Sequence, residues 1–143
     1  MPAPESLKLT ITRRLKAPPE TIFDAWLDPA MAGQWLFATP GGRLLRAEID
    51  PSIGGEFCFR EQRDDEIIEH LGEYTDLARP NRLAFEFTVN RVPEVTRVTV
   101  DIAVAGTGSE LTLTHEMSPR WADFTERTKQ GWEMILDGLE KVV

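Results

Sequence analysis

The chain has little of what would staple, ligate or anchor it. Cys58 is the only cysteine among 143 residues, so no intramolecular disulfide can form and a stapled, secreted scaffold is excluded. A reducing, cytoplasmic compartment is the expectation that follows. Cations are also short: 16 Lys and Arg stand against 24 Asp and Glu, a net charge of -8. Partners that present a phosphate backbone need clustered cations, so DNA, RNA and anionic membrane surfaces are disfavoured. No apolar run reaches 18 residues, and Met1 to Ser6 is not a basic segment followed by an apolar one, so neither membrane insertion nor a secretory leader is expected. Repeats with a period of 20 to 50 residues and low-complexity tracts are likewise missing, which leaves a single domain over 1–143.

Catalytic and metal signatures are equally sparse. His70 and His115 are the only histidines, and neither an H-E-x-x-H helix nor a cysteine pair accompanies them; no metal and no cofactor is expected. No serine sits in a G-x-S-x-G elbow, and Cys58 lies mid-strand without a basic or histidine neighbour to activate it. Gly106, Thr107 and Gly108 look like the start of a dinucleotide fingerprint but join two strands, which makes them a turn. Glu69, Glu73, Glu86 and Asp101 could serve as general acids or bases, yet alternate carboxylates on strands mark a solvated face.

What the chain does have is apolar periodicity. Over Pro119 to Val143, residues Trp121, Phe124, Thr128, Gly131, Trp132, Ile135, Leu136, Leu139 and Val142 recur at steps of three and four, which predicts one long helix with an apolar stripe. Such a stripe must lie on something broad. Upstream, Leu7, Leu9, Ile11 and Leu15 alternate with polar residues as in a half-buried strand. Pro18 and Pro19 then stop that strand and open a short helix with Ile22, Phe23, Trp26 and Leu27 on one side. Asp28-Pro29 ends it and caps a second helix carrying Met31, Trp35 and Leu36.

Turn residues then recur about every ten positions, the rhythm of a meander. Strands are expected over 43–50, 56–62, 66–77, 83–89, 98–104 and 111–117, with Gly54 and Gly55 free to take positive φ in the second hairpin. The fold class is therefore α+β, in the order β-α-α-β(about 6)-α, with a curved antiparallel sheet wrapped around the last helix. The strand over 43–50 is a candidate edge through which two copies could pair, so monomer and homodimer both stay open.

The order of elements and several strings resemble the helix-grip fold of the START-like, or SRPBCC, superfamily, which includes the Bet v allergen-like proteins. Within it, the chain resembles the domain homologous to the activator of the 90-kDa heat-shock chaperone's ATPase. The strings are Ala17-Pro18-Pro19-Glu20 with Ile22-Phe23 and Trp26, Asp28-Pro29 with Trp35, Gly54-Gly55 with Phe57, Gly72 with Tyr74, Pro80 with Leu83, Thr112-Leu113, and Gly131-Trp132 with Leu136 and Leu139. Ser52 stands where the family often carries an arginine. The resemblance implies a cavity between helix and sheet able to hold a small lipophilic or aromatic ligand. The expected wall is Trp35, Phe57, Phe59, His70, Tyr74, Phe85, Phe87, Val100, His115, Trp132 and Leu136, and a ligand site of this kind needs about 300 Å³. Two other readings stay open. One is a cyclase- or dehydratase-like enzyme using His70, His115 or Tyr74; the other is a stress-related or chaperone-linked interaction domain using the acidic surface. Gly131 and Gly138 cost the last helix about 1 kcal/mol each relative to alanine, either for close contact with the sheet or for room beside it.

Overall fold

A computed structural model describes residues 7–39, 41–90 and 95–143, without the side chains of Arg120 and Trp121. The readings of Met1 to Ser6 and of the Trp121 side chain lie outside the described residues. The elements are β1 (Leu7–Leu15), α1 (Pro19–Leu27), α2 (Pro29–Ala32), β2 (Arg43–Ile49), β3 (Glu56–Arg63), β4 (Glu66–Ala78), β5 (Arg82–Val89), β6 (Thr96–Ala105), β7 (Gly108–Met117), a 3-10 helix η1 (Pro119–Phe124) and α3 (Thr125–Val142). One antiparallel sheet takes all seven strands in the order β1-β7-β6-β5-β4-β3-β2. The expected α+β order and curved open sheet are thus present, and β2 is an edge strand. No described helix is long and apolar enough to cross a membrane.

Register explains which side chains meet on the inner face. Tyr74 pairs with Phe85, Phe85 with Val98, Val98 with His115 and His115 with Leu9, so one row crosses five strands. The neighbouring row runs Phe57, Gly72, Phe87 and Thr96. Because side chains of a strand alternate faces, all of these look the same way. A side chain at Gly72 would collide with the Phe57 ring, so the glycine is what lets that ring lie across β4.

The helices sit where their apolar faces direct them. Pro19 occupies the first turn of α1, and Ile22, Phe23, Trp26 and Leu27 are all buried. The Asp28 carboxylate accepts from the Ala30 backbone N–H at 2.9 Å, capping α2 as expected. That helix ends at Ala32, however, and Trp35 and Leu36 belong to the turn that follows. The closing helix also departs from expectation. Its first turns are 3-10 and Phe124 is 43% exposed, so the buried stripe narrows to Trp132, Leu136 and Leu139. The periodicity is continuous, but only this part of the helix overlies the sheet. In the second hairpin Gly54 alone takes positive φ, at 83°.

Two arginines fasten the layers. Arg13 on β1 pairs with Asp137 at 2.5 Å and donates to the Glu133 carbonyl at 3.3 Å, holding α3 to the sheet edge. Arg79 grips Asp24 of α1 with two bonds of 2.9 Å, a bidentate geometry stronger than a single surface pair. Glu69 overturns the expectation of a wholly solvated acidic face. It is buried, because Arg60 lies directly opposite on β3 and bonds its carboxylate at 2.6 Å.

Gly138 shows why α3 can approach the turn after α2 so closely. A Cβ there would stand 3.1 Å from the Trp35 Cβ, and Trp35 is itself immobilised by its indole N–H, which donates to the Ala25 carbonyl at 3.2 Å. Gly138→Ala is therefore expected to destabilise the protein despite its better helix propensity. Chemical denaturation reads this out; a stabilised variant, following the ~1 kcal/mol propensity gain alone, would show that the contact is not limiting.

Candidate functional site

A cleft of about 270 Å³ opens between α3 and the sheet, lined by Phe37, His70, Phe87, Val89, His115, Thr128, Gly131, Trp132 and Ile135. Thr128, Gly131, Trp132 and Ile135 follow one another at i, i+3, i+4 and i+7, so α3 contributes a single face. A Cβ on Gly131 would meet nothing within 4 Å. The two glycines of α3 thus serve opposite purposes: Gly138 permits contact, while Gly131 leaves room.

The floor is aromatic. Phe87 lies between the two imidazoles, 6.0 Å from the ring of His70 and 5.6 Å from that of His115. Phe37 stacks on His70 with ring centroids 4.0 Å apart and planes within 9°. Its backbone is left-handed, φ 58°, a conformation that costs a non-glycine residue energy unless its surroundings enforce it. They do. Glu61 is buried and accepts from the backbone N–H and the hydroxyl of Thr39 at 2.8 and 2.9 Å. Arg63 pairs with Glu61 and donates to the Phe37 carbonyl at 3.2 Å. The turn carrying Phe37 is clamped to β3 at the Phe37 carbonyl and at Thr39.

A second polar chain fixes His115. The Trp132 indole N–H donates to its Nδ1 at 3.0 Å, and Nε2 lies 2.9 Å from the Thr96 hydroxyl. An indole nitrogen can only donate, so Nδ1 is the acceptor and Nε2 carries the proton that goes to Thr96. Thr96 reaches His115 because it stands diagonally across the β6–β7 pairing, two residues before Val98,. Burial lowers the pKa of His115 to about 4. Burial also lowers His70 to about 4, helped by the charge of Arg63 and opposed by that of Glu61. Both imidazoles are neutral at neutral pH.

Of the eleven residues expected to form the wall, His70, Phe87, His115 and Trp132 do so. Trp35, Phe57, Phe59, Tyr74, Phe85, Val100 and Leu136 are buried beneath, filling space ring against ring. Phe57, for example, has its centroid 5.9 Å from Phe59, 5.4 Å from Tyr74 and 5.2 Å from Phe85. The open volume is accordingly smaller than the ~300 Å³ expected. Tyr74 does not join the histidines at the cleft, and burial raises its pKa; the acid–base constellation considered from sequence does not assemble. Ser52 is exposed and donates to Asp50 at 2.9 Å. Phe37 was not anticipated: nothing in the string Leu36-Phe37-Ala38 signals a left-handed residue. Thr128, Gly131 and Ile135 were visible on the helical stripe, but only the gap beside Gly131 turns them into a wall.

This architecture, an open antiparallel sheet gripping a long C-terminal helix with two short helices near the start, is the helix-grip fold of the SRPBCC superfamily. The family model "Activator of Hsp90 ATPase homolog 1-like protein" matches residues 16–143, and the chain belongs to that family. The family is named for an activator of the Hsp90 ATPase; that activity is the namesake's. Solved structures agree on the fold. A protein from Chromobacterium violaceum, 23% identical, superposes with a TM-score of 0.82 over 95% of this chain and 96% of its own. One from Rhizobium leguminosarum, 26% identical, gives 0.81 over 96% and 94%. The AHSA1-like protein from Aeromonas hydrophila, 22% identical, gives 0.80 over 96% and 92%. No curated protein matches the sequence significantly.

Two outcomes follow from this geometry. Trp132→Ala should cost roughly 3–5 kcal/mol, as for other buried large aromatics, because it removes both the ring and the donor to His115. A loss below about 1 kcal/mol in denaturant titration would remove Trp132 from its structural role. Stability should also fall between pH 6.5 and about 4. In that window the unfolded histidines bind protons that the folded ones do not, so folding stability rises with pH there. The contribution is on the order of 3 kcal/mol per histidine, complete above the unfolded pKa and lost by the folded one. Unfolding midpoints at pH 7.5, 5.5 and 4.5 test it, and His70→Phe should flatten the decline.

Proposed function

We propose that the chain is a cytoplasmic binding module that holds one small, apolar, ring-containing molecule in the cleft between α3 and the sheet. The carrying observation is the room beside Gly131, where α3 meets an aromatic patch of the sheet that holds both histidines. The cleft is a shallow recess open to solvent, walled by Phe37, Phe87, Trp132 and Ile135, with Val89, 38% exposed, at its rim. At about 270 Å³ the cleft falls short of the ~300 Å³ of an ordinary ligand site, which counts against an enclosed lipid cavity, so the ligand proposed has no more than one or two rings and is only partly covered. Apolar walls supply most of the affinity by removing surface from water, while a few polar atoms orient the guest.

Binding of 2-methylnaphthalene tests this, followed by native mass spectrometry and thermal shift, beside the Gly131→Leu variant. At a hundred times its Kd a ligand adds about 2.7 kcal/mol to stability, so the wild-type midpoint should rise. The variant, whose leucine fills the room without a steric clash, should fold as well or better and show no shift. A wild-type protein indifferent to this ligand and to naphthalene-sized apolar molecules generally would overturn the proposal.

A further inference from the structure

We infer that the molecule held in the cleft is uncharged and carries one hydrogen-bonding oxygen, which pairs with the imidazole of His70. This deepens the binding reading above and rests on it. Among the described wall residues, four side chains have polar atoms: His70, His115, Thr128 and Trp132. The single indole donor of Trp132 is committed to His115, whose other nitrogen is committed to Thr96. The Thr128 hydroxyl gives its proton to the Phe124 carbonyl at 3.0 Å, inside its own helix. His70 differs. It is only 9% exposed as a residue, and no described residue bonds its ring nitrogens, yet these are not among the fully enclosed unpaired atoms and so keep contact with solvent at the cleft.

A guest that covers these nitrogens takes them from water, at a cost of about 1–3 kcal/mol if nothing replaces it, so a guest whose oxygen restores the hydrogen bond is favoured over one with an apolar edge. The ring cannot simply turn outward, because Phe37 stacks flat on it and Phe87 packs nearby. A neutral imidazole offers one N–H donor and one acceptor nitrogen. Either can engage a hydroxyl, and the donor can engage a carbonyl oxygen. The same wall argues against an ionised guest. No described residue lining the cleft carries a carboxylate, ammonium or guanidinium group. The one cation acting on His70, Arg63, is already paired with Glu61. An ion entering here would lose hydration without gaining a counter-charge.

Three probes of one shape separate the possibilities: 2-naphthol, 2-methylnaphthalene and 2-naphthoate, titrated at neutral pH against the wild type and His70→Phe. Phenylalanine keeps a flat ring against Phe37 and removes both nitrogens. A neutral hydrogen bond is worth about 0.5–1.5 kcal/mol, so the substitution should weaken 2-naphthol roughly 3- to 10-fold relative to 2-methylnaphthalene. Taking the ratio within each protein cancels the greater hydrophobicity of the methyl compound. In the wild type, 2-naphthol should also shift the imidazole nitrogen NMR signals of His70 more than those of His115. That measurement decides the matter if His70→Phe does not fold. An unchanged ratio, unmoved His70 signals, or 2-naphthoate binding as tightly as 2-naphthol would overturn the assignment while 2-methylnaphthalene binding keeps the cleft as a site. If no probe binds the wild type, the binding reading itself fails.

Discussion

The hydrogen bond from the Trp132 indole to His115 Nδ1 is the constraint on which the rest of the site depends. It joins the closing helix to β7, the strand beside the β1 edge, and through Thr96 it continues to β6. Because the indole has only a donor and the neutral imidazole one acceptor, the bond works in a single tautomer and a single orientation. Helix and sheet therefore meet through a defined polar contact in surroundings that are otherwise apolar. The ring of Trp132 is thereby set at the cleft wall, and His115 loses both nitrogens to structure.

On the other side of the cleft the equivalent device is the Glu61 clamp. Three donors from Thr39 and Arg63 converge on one buried carboxylate, and they hold a strained turn whose purpose is to lay Phe37 on His70. The pKa of Glu61 is lowered by these bonds against the opposing effect of its burial. Strain at Phe37 is thus offset by hydrogen bonds several residues away. Between the two devices lies Gly131 of α3, where an added Cβ would meet nothing within 4 Å, and a cleft opens there.

Family membership and fold agree over residues 16–143, and the structural relatives, between 22% and 26% identical in the three cases described, show the architecture alone. Function has to be argued from the cleft itself. Its two titratable rings are neutral, one is fully engaged, and the tyrosine that could have completed an acid–base set is buried in the aromatic layer beneath.

Much of this protein was legible in its sequence because periodicity reports directly on which face of an element is buried. The seven strands, the short α1 and α2 pair, the helix start at Pro19, the cap at Asp28 and the closing helix with Trp132, Leu136 and Leu139 inward are all local patterns. The inward placement of His70 and His115 follows from alternation as well. Tertiary structure alone decided the rest, since it depends on distances between elements remote in the chain. Phe37 gained its place from a clamp 22 to 26 residues away. Phe124 kept its place in the stripe but fell beyond the sheet, and Glu69 was drawn under Arg60. Gly131 and Gly138 are the same residue on one helix, seven positions apart, and no local signal distinguishes them. One faces Trp35 and the other faces open space, because what a glycine permits is set by the atoms opposite it.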